Sequence, residues 1–120
     1  MPQNEDILTL SYDFLKSLVP ILSKFPRDQK FLLADRMQTL THDILDDFIG
    51  AYYTKDKAEK IARLKPANVK LERLRFAVRL SHDLKLLSNQ HYGVISRKIN
   101  EMGGSLGNWL KFLEGKMSSR

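Results

Sequence analysis

The chain has 120 residues, a hydrophobic fraction of 42% and a charged fraction of 28%, enough for one ordinary globular domain with a core of its own. The absence of cysteine excludes disulfide scaffolds and thiolate metal sites and makes the reducing cytoplasm the expected compartment. Lysines and arginines outnumber aspartates and glutamates 20 to 14, for a net charge of +6.

Four helices are predicted from the 3.6-residue recurrence of apolar side chains. The first covers about residues 7–24, with Leu8, Tyr12, Leu15, Val19 and Leu22 as its apolar stripe and Pro20 as an internal bend. It begins after "MPQNED", where acids stand in place of the positive charge of a secretory signal. It ends at "FPRD", because the residue before a proline is pushed out of the helical region. The second covers about residues 28–53, with Leu33, Met37, Leu40, Ile44, Phe48 and Tyr52 facing inward. Asp43, Asp46 and Asp47 are its solvated face.

The third helix ends near residue 87 and begins at either 57 or 67. Pro66 fits both a first-turn position and the interior of a longer element. Two seams are expected on it: Leu71, Leu74 and Val78, and then Ala77, Leu80, Leu84 and Leu87. The fourth covers about residues 89–114, capped by Ser88. Tyr92, Ile95, Ile99, Met102, Leu106, Trp109 and Leu113 alternate three and four apart, the seam of a left-handed bundle. The final "KMSSR" is expected to fray. No strand pattern or internal repeat is present, and short connections between long helices predict an all-α, up-down four-helix bundle in one domain.

Between Lys55 and Lys85 lie ten basic and four acidic residues, so this segment carries the whole charge excess. A solvated helix face does not need such asymmetry. Two readings stay open: a solvated face, and a diffuse positive surface that oligomer symmetry would join into one suited to phosphate backbones. Lys65, Lys70 and Arg73 are candidate contacts from charge alone. Few aromatics lie nearby in sequence, so base stacking is not expected.

Catalytic signals are sparse. The three histidines form no i,i+4 pair, and His42 with Asp46 supplies too few metal ligands. Arg36 and His42 match the loose spacing of some small helical ribonucleases, but they project about 120° apart around a helix. The reading is of no catalytic residues, no metal and no cofactor. No apolar run nears the roughly 20 residues that span a bilayer, so the Gly103-x-x-x-Gly107 spacing is not a membrane dimer motif. Each of these glycines costs the helix roughly 1 kcal/mol. Gly103 and Gly107 instead form a smooth strip beside Leu106 and Trp109, a packing surface within or between subunits.

Pro20, Phe25-Pro26-Arg27, Leu74-Arg75-Phe76 with Arg79, His82 to Leu86, and Glu101-x-Gly103-x-x-Leu106-Gly107-x-Trp109 occur in an order that resembles the accessory variability determinant (Avd) family of diversity-generating retroelements. The four-helix proteins encoded in ribosomal RNA intervening sequences are similar in fold. The resemblance implies a ring-like homopentamer that binds nucleic acid and a reverse transcriptase and supports mutagenic copying of a template RNA without being the polymerase. It also implies that Arg75 and Arg79 belong to the nucleic-acid-binding surface. A protein-binding adaptor of the intervening-sequence type is the alternative, and a small ribonuclease the lesser one.

Overall fold

In the computed structural model, which describes residues 2–118 and the side chains of residues 7–115, the chain folds into four helices. Helix α1 is Pro2–Leu22. Helix α2 spans residues 27–53 and consists of a first turn, Arg27–Gln29, a π-helical stretch, Lys30–Ala34, and a regular portion, Asp35–Tyr53. Helices α3 and α4 are Lys57–Asp83 and Asn89–Ser118. Each helix packs on its chain neighbours and α1 closes the ring against α4, which is the up-down bundle. The molecule is a rod of 53 × 22 × 20 Å. Residues 119 and 120, the end of the predicted frayed tail, lie outside the described residues; the helix itself continues to Ser118.

The core uses the predicted α4 seam almost intact, with Ile95, Ile99, Met102, Leu106, Trp109 and Leu113 buried and Tyr92 half-buried. On α2 the predicted stripe also holds, except that Ala51 is buried where Tyr52 was expected and Tyr52 is half-buried. The π-helical widening adds one residue to a turn and re-aims what precedes it. Leu33 and Ala34 reach the core, while Phe31 and Leu32 remain 77% and 67% exposed.

Leu22 is buried as predicted, and the rest of the α1 stripe is corrected by one residue. Ile7, Phe14, Leu18 and Leu22 are buried, whereas Tyr12 and Val19 face outward. The position that hid this face is Ser11, buried because its hydroxyl donates to Ile7 O at 2.7 Å. Thr41 and Ser81 do the same, donating to Met37 O at 2.7 Å and Ala77 O at 2.8 Å. A hydroxyl satisfied by its own helix can sit among apolar side chains at small cost. Ser81 takes the core position on α3 that the second predicted seam gave to its neighbours, so Leu80 and Leu84 are 47% and 52% exposed.

Helix α3 begins at 57 and runs through Pro66. Asp56 is its N-cap, accepting from Ala58 N at 3.2 Å, and Glu59 follows at the third helical position. Pro66 and Ala62, whose carbonyl loses its usual partner, are both exposed, where water can satisfy the freed group.

The predicted end of α3 at 87 is corrected to Asp83. Lys85 adopts φ 64°, Leu86 N donates to Ser81 O at 2.8 Å and Lys85 N donates to His82 O at 2.9 Å. This pair of bonds is a Schellman closure with lysine at the left-handed position that glycine normally fills. Replacing Lys85 by glycine should therefore raise stability by about 1 kcal/mol in urea denaturation. Unchanged or lower stability would show that Lys85 bears no strain. Ser88 then caps α4, accepting from His91 N at 3.0 Å.

Candidate functional site

The basic segment divides into cations held by the fold and cations left free. Lys60 donates to Ala51 O at 2.7 Å and Tyr52 O at 3.4 Å, closing the carboxy-terminal end of α2. Its ammonium lies 6.0 Å from the Trp109 ring centroid, and burial lowers its pKa below the ordinary lysine value. Arg63 pairs with Glu59 at 3.6 Å and lies across Gly50, where any Cβ would meet its side chain at 2.8 Å. Lys70 bridges α3 to α2, donating to Asp47 Oδ2 at 2.7 Å with both side chains at least three-quarters buried. Lys65 pairs with Glu114 at 3.3 Å, but both are well exposed, and such a contact yields readily to a competing anion.

Arg75 ties α3 to α4. Its Nη1 donates to Asn100 Oδ1 on α4, and its Nε lies 3.0 Å from Glu72 Oε2. The Nε–H is not aligned with that carboxylate and is buried without a hydrogen bond. Nη2 packs over Gly103, where a Cβ would stand only 2.7 Å away. The glycine strip therefore has two different halves. Gly103 clears space for the Arg75 guanidinium within one chain, whereas a Cβ on Gly107 would meet nothing within 4 Å. Leu106 and Trp109 beside them are core residues of the single chain.

Substitution separates the two halves. Gly107→Ala should gain about 1 kcal/mol from helix propensity alone. Gly103→Ala should be near neutral, because the same gain is offset by pushing Arg75 off Asn100. Urea denaturation of both variants checks this; equal gains would show that Arg75 does not depend on Gly103.

Arg73 and Arg79 are exposed and make no hydrogen bond or ion pair to any described residue. Arg79 lines a groove of about 330 Å³ between α3 and α4 with Glu72, Arg75, Phe76, Tyr92, Ser96 and Asn100. Phe76 is 66% exposed. Tyr92 is stacked on His82, with centroids 4.1 Å apart and planes 8° from parallel, and His82 is held by Asn89 at 2.7 Å. Few aromatics lie near the cations in sequence, but the packing of α3 on α4 adds Tyr92 to Phe76 in the groove that Arg79 lines. Phe76 was legible as the neighbour of Arg75; Tyr92 was hidden as an ordinary seam residue.

The weaker chemical candidates do not gather. His42 and Asp46 are both exposed on α2. Arg36 lines a shallow depression with Phe31, Leu32, Asp35, Thr39 and Leu40, and His42 does not. Among the described residues no three His, Asp or Glu side chains group as a metal site requires, and no helix is long and apolar enough to cross a membrane.

Comparison with known proteins places this arrangement in a family. The bAvd-like family model matches residues 7–113, nearly the whole bundle including all five candidate cations and the glycine strip. The chain belongs to the bAvd-like family. Membership agrees with the Avd resemblance carried by its sequence landmarks. Its fold is shared with the crystal structure of a protein of unknown function from the S23 ribosomal protein family of Bacteroides thetaiotaomicron. That match has a TM-score of 0.83 and 16% identity and covers 91% of this bAvd-like chain and 98% of the other. A search of curated proteins finds no match.

Proposed function

We propose that this bAvd-like protein is a non-catalytic, cytoplasmic platform for the phosphate backbone of nucleic acid. It would serve a retroelement reverse transcriptase during mutagenic copying of a template RNA. One observation carries the reading beyond family membership. Of the cations concentrated on α3, Arg73 and Arg79 are exposed with no partner among the described residues, and Arg79 lines the groove. Lys65 joins them at the cost of a weak surface pair, and Arg75 shapes the groove wall. Lys70 is occupied with Asp47 and serves the bundle first. Retention of RNA, DNA and RNA–DNA hybrid by the purified protein at low salt tests the binding. Co-purification with a reverse transcriptase encoded beside it tests the partnership. A protein that holds the polymerase but no nucleic acid would instead be the protein-only adaptor.

The homopentameric ring belongs to the same proposal. Leu80 and Leu84 stand four apart along the end of α3, exposed. Phe31 and Leu32 are exposed at the same end of the bundle, since Ser81 lies against Met37. Exposed apolar side chains clustered at one end of a small domain are commonly covered by a partner, here a second copy. A ring repeats Arg73 and Arg79 around its circumference, multiplying phosphate contacts. Native mass measurement should return a multiple of the 13.9 kDa chain, with a pentamer expected and a monomer refuting the ring.

A further inference from the structure

We infer that the α3–α4 groove holds one unpaired nucleotide of a single-stranded segment, its base against the Phe76 ring and its phosphate on Arg79. The inference rests on the proposed nucleic-acid binding and adds to it a preference for single strands that backbone contact alone does not give. Three features converge on it. The first is the helix spacing. Arg73, Phe76 and Arg79 follow one another at three-residue steps, so each arginine neighbours the ring on the helix surface, about 4.5 Å along the axis. The ring is 66% exposed and both arginines are without intramolecular partners among the described residues. An aromatic face between two free cations suits a base flanked by two phosphates.

The second is the groove itself. At about 330 Å³ it has the size of a small-ligand pocket, and it is concave where a duplex presents only its backbone. Its far wall is polar. Ser96 and Asn100 line it, and because Asn100 Oδ1 is taken by Arg75, the amide NH₂ is left to donate to a base edge. The third is charge. Glu72, the acid on the groove wall, is neutralised by Arg75, so the free charge facing a ligand is that of Arg79. A protein segment would match the apolar ring or the cations; a nucleotide matches the ring, a cation and the edge donors together. The groove takes its nucleotide from a chain and not from the free pool, because Arg73 lies outside the groove lining, where only a flanking phosphate reaches it.

Fluorescence anisotropy with a labelled single strand of about 12 nucleotides, and with its duplex, tests the inference. Phe76→Ala should weaken single-strand binding about tenfold and leave duplex binding within about twofold. Phe76→Trp should keep wild-type affinity for the single strand. Phe76 is largely exposed, so both variants should keep the wild-type helical spectrum. Excess AMP should leave the single-strand complex intact; displacement by AMP would assign the groove to free nucleotides and overturn the inference. Equal losses on single strand and duplex, or no loss on either, would overturn it while leaving the proposed backbone binding in place. A wild-type protein that binds neither probe would overturn both.

Discussion

Reversing the charges of Arg73 and Arg79 together, as Arg73→Glu with Arg79→Glu, is expected to weaken RNA retention at least about a hundredfold while leaving the helical spectrum unchanged. Each arginine that meets a phosphate makes a charge-assisted hydrogen bond of about 1.5–3 kcal/mol, so two account for a hundredfold before repulsion from the new carboxylates is added. The fold should not notice, because neither side chain bonds to another described residue. The neighbouring cations make useful controls. Lys70→Ala leaves Asp47 unpaired at the α2–α3 seam and should cost stability of about 1 kcal/mol with little change in binding. Arg75→Glu is the poorer probe, since it also removes the link to Asn100. Filter retention and circular dichroism on the same preparations check both effects. A double reversal that still retains RNA would move the binding surface off α3.

The second large effect concerns the bundle. Trp109→Ala is expected to cost about 3–5 kcal/mol in chemical denaturation. Trp109 is 1% exposed and is among the largest fully buried side chains. Its truncation opens a cavity that four helices can only partly close, and the Lys60 ammonium nearby loses the ring beside it. Against a total stability of about 5–15 kcal/mol, this loss leaves the fold marginal near 37 °C. Trp109→Phe should retain most of the stability because it keeps an aromatic ring in the core. A loss below about 1 kcal/mol for the alanine variant would contradict the burial of the ring.

The bundle was legible wherever the core is written in apolar residues alone. The α4 seam and its Ser88 cap are instances, and so is most of α2. Reading failed where a self-satisfied hydroxyl stands in the core, as at Ser11 and Ser81, because a pattern of apolar types assigns those positions to the surface. It also failed where lysine takes the left-handed position after α3, since Lys85 lacks the glycine that marks such an end. The π-helical stretch leaves no mark beyond an apolar run, Phe31-Leu32-Leu33-Ala34, too wide for one helix face. The start of α3 was open to a closer reading, because Asp56 and Glu59 form the capping pattern that outweighs Pro66.

The candidate site was legible as a charge excess and not as a geometry. Sequence grouped Lys65, Lys70, Arg73, Arg75 and Arg79 by sign, and only packing separates the arginine that holds α4 from those that face outward. Gly103 shows the same limit. Its reason is the guanidinium of a residue 28 positions earlier, a contact that no spacing within α4 encodes.

The central claim, that the exposed cations of α3 bind phosphate, is tested most directly by a salt titration of single-stranded RNA binding. Three phosphates held by Lys65, Arg73 and Arg79 give a plot of log affinity against log salt with a slope of about −2 per chain, and Arg79→Ala should flatten it by about 0.7. Affinity independent of salt, or a slope unmoved by Arg79→Ala, would contradict the account.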